Sequence, residues 1–171
     1  MYCLIEPCEE YIPSYMEAYD EYTAAGITDY GFTDAKNTDI LQKFDDYRHE
    51  RNLKPNRVGA DYYWLVDDKT QRFIGEITIR HRLNGALERI GGHIGYGVRL
   101  TAQNKGMGTL MLKLALEKAA KMGLAQVLIT CDENNIASAR IMEKNGCLLK
   151  DKIENVVDDR TILTRRYIRS L

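Results

Sequence analysis

Cysteine, histidine and proline are all scarce in this 171-residue chain, and long apolar runs are absent. None of the four cysteines (Cys3, Cys8, Cys131, Cys147) forms a CxxC pair, and no two of the three histidines (His49, His81, His93) stand at zinc-ligand spacing, so no metal is expected. No run of 18 apolar residues occurs, and the opening MYCLIEPCEEYIPSY has neither a basic start nor an apolar core of signal length. A reduced, cytoplasmic location without a membrane partner is the expectation. The net charge of -1 predicts no nucleic acid or other polyanionic partner. Two nucleotide motifs are missing as well. No GxxxxGK followed by Ser or Thr exists, and Gly95-Tyr96-Gly97 is followed at the third position by Leu100 where a dinucleotide fingerprint needs glycine.

What is present, 44% hydrophobic and 29% charged residues, describes an ordinary globular chain of one domain, residues 1–171. Acidic residues crowd the start: residues 1–50 hold twelve Asp/Glu against three Lys/Arg. That excess suggests attraction for a cationic amine, although solvated faces of two helices would produce the same count. Residues 2–5 read as a short strand. Tyr11, Ile12, Tyr15, Met16 and Tyr19 fall at helical spacing within residues 9–24, ended by Gly26. Asn37 or Thr38 can cap a second helix reaching about residue 52. Residues 62–66 and 73–82 read as a hairpin around Asp67-Asp68-Lys69-Thr70, and a turn region, 84–89, leads to a strand at 91–100. A helix at 106–122 follows, then an apolar strand at 125–131, a helix at about 136–144, and two strands near 147–154 and 160–169. Cys131 and Cys147 sit in apolar surroundings and read as buried, inert thiols.

The most informative segment is Gln103-Asn104-Lys105-Gly106-Met107-Gly108, between the strand at 91–100 and the helix at 106–122. A glycine-punctuated strand-to-helix loop aims unpaired backbone N–H groups at one point, where the helix dipole adds positive charge, so it suits a phosphate-like anion. Thr109 adds a hydroxyl, and Lys105 a cation that could equally be solvated.

With the nucleotide motifs absent, Q-x-x-G-x-G remains, and Gln103, Gly106 and Gly108 match the R/Q-x-x-G-x-G/A signature of the GNAT superfamily of acetyl-CoA-dependent N-acetyltransferases. The block Asn135-Ile136-Ala137-Ser138-Ala139-Arg140-Ile141-Met142-Glu143-Lys144-Asn145-Gly146 resembles the family's N-x-x-S/A-x-x-x-x-E-K-x-G segment, one helix and one strand later. WLVDD, RFIGEITIRHRL and GGHIGYGVR further resemble a bacterial branch of predicted acetyltransferases. The resemblance implies an α/β fold of the α+β mixed kind: a central, mixed, mostly antiparallel twisted sheet of six to seven strands with about four helices on its faces, two central strands being splayed. Acetyl-CoA would lie in that splay. Its pyrophosphate would rest on the amides of Gln103, Asn104, Lys105, Gly106, Met107, Gly108 and Thr109, and its pantetheine arm would pair with backbone at Val98, Arg99 and Leu100. Asn135 would contact the pantetheine or phosphate end, if not simply capping its helix, and Ser138 and Lys144 would lie on the nucleotide side.

The implied reaction is direct attack by a primary amine of a small molecule or peptide in a ternary complex. It needs a neutral amine, an oxyanion donor and a proton for the thiolate. A backbone N–H near Val98 or Arg99 can serve the oxyanion. Where many relatives carry a proton-donating Tyr this chain has Met142, and where some carry a basic Glu it has Gly92. Tyr96 is then the candidate acid, and His93, Glu76 or solvent the candidate base. Acetyl-CoA binding without turnover, as a sensor or interaction module, is the alternative. Acceptor choice is expected from the first two helices and their connection, where Tyr22, Tyr30, Phe32 and Asp34 lie, and the C-terminal strands offer an edge through which a homodimer could form.

Overall fold

The chain was analysed as a computed structural model that describes residues 1–28, 31–33 and 38–171. Tyr30, Asp34 and Asn37 lie outside the described residues. Seven strands form two sheets. Strands β1 (Tyr2–Ile5), β2 (Ala60–Asp67), β3 (Arg72–Arg80) and β4 (Ile94–Val98) make one, in that spatial order, and β5 (Gln126–Asp132), β6 (Leu148–Val157) and β7 (Arg160–Ser170) make the other, ordered β5-β7-β6. Every ladder is antiparallel.

Alternation along β3 divides the fold into two layers. Ile77 and Ile79, with Tyr63 and Leu65 of β2 and Ile94 of β4, face helix α4 (Met107–Lys121), whose Met111, Leu112, Ala115 and Ala119 complete that core. On the opposite face Trp64, Val66 and Phe73 pack under α1 (Ile12–Ala24) and α2 (Ile40–Arg48). Tyr15 lies flat against Trp64 at 4.9 Å and meets Phe73 edge-on at 4.8 Å, so aromatic packing fixes α1 to the sheet. Cys131 and Cys147 are buried, and burial pushes the Cys147 thiol up to about 11.

Several boundaries depart from the sequence expectation, each for a local reason. Helix α2 is capped by Asp39, whose carboxylate accepts from the Gln42 amide, rather than by Thr38. The expected turn at 84–89 contains a short helix, α3 (Gly85–Arg89), because the Asn84 side chain accepts from the Leu87 amide. Strand β4 covers only half of residues 91–100. Gly91 and Gly92 bend the chain at positive φ before it, and Leu100–Ala102 forms a 3-10 turn after it.

Candidate active site

The site is built where the two sheets meet. No ladder joins β4 to β5; the chain just before β4 meets β5, where the His93 amide donates to the Leu128 carbonyl at 2.7 Å and the Gly91 amide to Thr130 Oγ1 at 2.8 Å. Gly92 makes that contact possible, since a Cβ there would lie 2.2 Å from the Leu128 carbonyl oxygen. Beyond it a cavity of roughly 460 Å³ opens, lined by Gly95 and Tyr96 of β4 and by Thr130, Cys131 and Asp132 of β5. Asn135 and Ser138, at the start of α5 (Ile136–Lys144), close one wall; Phe32, Thr33, Glu76, Thr78 and Arg80 form another.

Ladder geometry determines which backbone groups of β4 face this gap. The Arg99 amide donates to the Ile74 carbonyl, so residues 95, 97 and 99 turn their amides toward β3, whereas His93, ahead of the ladder, turns only its carbonyl there, accepting from the Arg80 amide. The amides of Ile94, Tyr96 and Val98 therefore point toward β5. Of the two expected oxyanion donors, Arg99 is thus committed elsewhere, and Val98 faces the gap. The Arg99 side chain is also structural: it is 3% exposed and donates to Glu21 at 2.7 Å, to Glu17 at 3.1 Å and to Ser14 Oγ at 3.0 Å. Leu100 packs against the aromatic cluster under α1. The Val98 carbonyl accepts from the Tyr22 hydroxyl at 2.5 Å, and Gln103 Nε2 donates to that hydroxyl at 2.7 Å. Gln103 therefore ties the loop to α1 through its side chain.

At the start of α4 the backbone alone is offered. Gly106 is the N-cap in the left-handed region (φ 79°), Asn104 before it is also left-handed (φ 58°), and no side chain caps the helix. A Cβ on Gly106 would meet nothing within 4 Å, so the concavity over the amides of Met107, Gly108 and Thr109 is open. This is an arrangement that fits a diphosphate. Gly108 serves packing too, for a Cβ there would lie 2.6 Å from Ile141 Cδ1 of α5. Lys105 folds back, donating to the Thr101 carbonyl at 2.8 Å. Asn135 caps α5 by accepting from the Ser138 amide at 3.0 Å while lining the cavity, so both of its expected roles remain compatible. Lys144 ends α5 in an exposed position; the next residue, Asn145, donates to the Thr109 carbonyl at 3.1 Å, which brings that end of α5 to the loop.

The three candidate proton carriers are placed very differently. His93 does not line the cavity; its Nδ1 accepts from the Leu128 amide at 3.0 Å, and burial lowers its pKa. Glu76 lines the cavity but is 2% exposed, with Oε1 accepting from the Thr33 amide and hydroxyl, each at 3.0 Å, and Oε2 from Trp64 Nε1 at 3.0 Å. Burial raises its pKa against the lowering effect of those bonds. It anchors residues 31–33 over β4, where a Cβ on Gly31 would lie 2.9 Å from the Tyr96 carbonyl. Tyr96 crosses the gap, its hydroxyl 2.8 Å from Ser138 Oγ, and burial raises its pKa so that the phenol keeps its proton at neutral pH. Thr33 and Arg80 were not singled out from the sequence. The polar alternation Glu76, Thr78, Arg80 opposite Ile77 and Ile79 is the signal that marks this face as a site wall.

The Acetyltransferase (GNAT) domain model matches residues 4–148, and the chain belongs to the GNAT acetyltransferases, acyltransferase enzymes whose co-substrate is acetyl-CoA. Among similar solved structures, the microcin C7 self-immunity acetyltransferase MccE, in complex with acetyl-CoA and AMP, has a TM-score of 0.72 at 14% identity over 99% of this chain and 92% of its own. RimL, a ribosomal L7/L12 α-N-protein acetyltransferase in complex with coenzyme A, has a TM-score of 0.70 at 15% identity over 99% of this chain and 94% of its own. The ribosomal-protein-S5-alanine acetyltransferase from Vibrio fischeri has a TM-score of 0.67 at 15% identity over 99% and 91%. At such identities the similarity speaks to fold. No curated protein sequence matches.

Proposed function

We propose that this protein transfers an acetyl group from acetyl-CoA to a primary amine of a small molecule or peptide, by direct attack in a ternary complex. The observation that carries the reading is the uncapped, glycine-entered start of α4, which follows the gap-facing strand β4 through the 3-10 turn Leu100–Ala102. The co-substrate would supply an activated acetyl thioester, held by the amides of residues 106–109 and by the gap-facing amides of β4. Val98 or Tyr96 would offer the N–H that stabilises the oxyanion. Tyr96, kept protonated by burial and coupled to Ser138, would hold the proton that the leaving thiolate requires. The amine would lose its own proton to water in the open cavity, since both oxygens of Glu76 and the Nδ1 of His93 are occupied.

That same occupancy favours a second reading, acetyl-CoA binding without turnover. Thiol release with a panel of amines separates the two: turnover supports transfer, and tight binding with no thiol release for any amine supports the sensor. Gly108→Glu puts bulk and negative charge at the first turn of α4, and it should abolish coenzyme A binding by calorimetry. Unchanged affinity in that variant would remove the diphosphate from this loop.

A further inference from the structure

Among the described residues, none of the acids of residues 1–50 lines the acceptor cavity. Five of those twelve acids are paired elsewhere: Glu6 with Arg48, Glu17 and Glu21 with Arg99, Asp45 with Arg51, and Glu50 with Arg82. The charged side chains on its described lining are Arg80, Glu76 and Asp132, and Arg80 is the one cation. Its Nη1 donates to the carbonyls of Gly91 at 3.2 Å and Gly92 at 3.0 Å, and among the described residues it forms no ion pair. Arg48, Arg82, Arg99, Arg165 and Arg166 each meet a carboxylate.

A half-buried guanidinium without a counter-ion is costly unless something else supplies the charge. Two glycines border this one: a Cβ on Gly95 would lie in ordinary contact with its Nη2 at 3.7 Å, and one on Gly91 with its Nη1 at 3.7 Å. Nη2 accordingly lies over Gly95, on the floor of the cavity beside β4. The acids that share the cavity do not neutralise it. Glu76 is four residues along the same strand, about 13 Å away at the rise of an extended chain, and its oxygens are taken by Thr33 and Trp64. Asp132 is exposed on the far wall. Arg57 lines an adjoining cavity of roughly 340 Å³ that Arg80 also borders, adding positive charge on that side. Burial first, and the Arg57 charge with it, push the Arg80 pKa down, as expected of a cation that meets no carboxylate among the described residues.

We infer that Arg80 selects the acceptor: the amine taken by this cavity also carries an anionic oxo group, a carboxylate or a phosphate, that seats on the Arg80 guanidinium. The inference rests on the acetyl-transfer reading for the word acceptor, and on cavity chemistry alone for the anion. A guanidinium fork suits both oxo groups. The test is calorimetry on the coenzyme A-loaded protein with matched probes, β-alanine against propylamine and phosphoethanolamine against ethanolamine. The anionic member of at least one pair should bind about tenfold or more tightly, the scale of one charged hydrogen-bonded contact. The pair that shows the preference distinguishes carboxylate from phosphate. Arg80→Gln should erase the preference and Arg80→Lys should weaken it, with coenzyme A affinity retained as the check on folding. Equal affinities within both pairs, no binding by either anionic probe, or a preference that survives Arg80→Gln would overturn the inference. Anion-selective binding without thiol release would instead sink the transfer reading and leave Arg80 in its place.

Discussion

Replacing Arg99 by Met separates a structural role from a cofactor role at a position one residue beyond the gap-facing Val98. The side chain is 4% exposed and bridges α1 to the end of β4 through Glu21, Glu17, Ser14 and the Phe73 carbonyl. Methionine fills much of the volume and leaves Glu21, 20% exposed, without its principal cation. Removing one partner of a buried pair costs about 3–5 kcal/mol. Glu21 keeps Thr101 at 3.0 Å and Arg72 at 3.4 Å, which sets the expectation at the lower end. About 3 kcal/mol corresponds to a fall of roughly 6–12 °C in melting temperature for a chain of this length. Glu17 is 67% exposed, so Glu17→Gln should cost under ~1 kcal/mol. The acid limb gives a second readout. Burial is the largest influence on Glu21 and raises its pKa, yet the bonds from Arg99 and Thr101 together outweigh it and the pKa is lowered. The stability Glu21 contributes is therefore present above its unfolded pKa, near ~4.3, and lost as pH falls through the lower folded value. In Arg99→Met that loss should shrink or reverse. Calorimetric scans from pH 3 to 7 with coenzyme A titrations alongside decide the matter. A variant with unchanged melting and much weakened cofactor affinity would refute the assignment.

Gly92→Ala should destabilise by more than ~2 kcal/mol in urea unfolding, because a left-handed residue with a side chain would also press on the Leu128 carbonyl at 2.2 Å; Gly106→Ala, equally left-handed but in open space, should cost only about 1 kcal/mol. Equal losses at the two positions would contradict the close approach of β4 to β5. For His93, burial lowers the folded pKa, so its contribution to stability is full above the unfolded value near ~6.5 and declines as pH falls toward the folded one. His93→Phe should be less stable at pH 8 and show a flatter dependence between pH 7 and 5, measured as melting temperature against wild type. Tyr96→Phe removes the hydroxyl beside Ser138 and should lower kcat with little change in coenzyme A affinity; an unaltered kcat would remove Tyr96 as proton donor.

Legibility in the sequence followed the length over which a physical pattern repeats. Helix α4 was readable because six apolar positions share one stripe between Gly106 and Gly123, and its observed span, Met107–Lys121, lies within one residue of the expected 106–122. Helix α5 and the β2–β3 hairpin were readable for similar reasons. Five residues are too few for periodicity, so α3 was hidden and only its capping Asn84 could have signalled it. Asp39 does not stand out as the cap in the sequence, because Asn37 is an equally good capping type and Thr38 only a somewhat weaker one. The chemical commitment of a side chain was least legible of all. Glu76 is a plausible base in one dimension, and only the arrival of Thr33 from the α1–α2 connection and Trp64 from the neighbouring strand turns it into an anchor.

The two halves of the site differ in legibility because they are made of different material. Oriented backbone amides form the proposed cofactor half, and what orients them, glycine at positive φ ahead of a helix, is written locally at Gly106. Six separate chain segments contribute side chains to the proposed acceptor half: Phe32 and Thr33, Tyr62, Glu76 to Arg80, Ile90 to Tyr96, Thr130 to Ser138, and Thr164. Its charge cannot be read by summing over a stretch of sequence. Twelve acids in the first fifty residues suggested a cavity for cations, yet the folded chain spends many of them on arginines and exposes to the cavity an arginine that has no such partner among the described residues. Electrostatic selection of the acceptor is thus decided by pairing, which register and topology set, and the lone guanidinium of Arg80 beside Gly95 is where that selection should be sought.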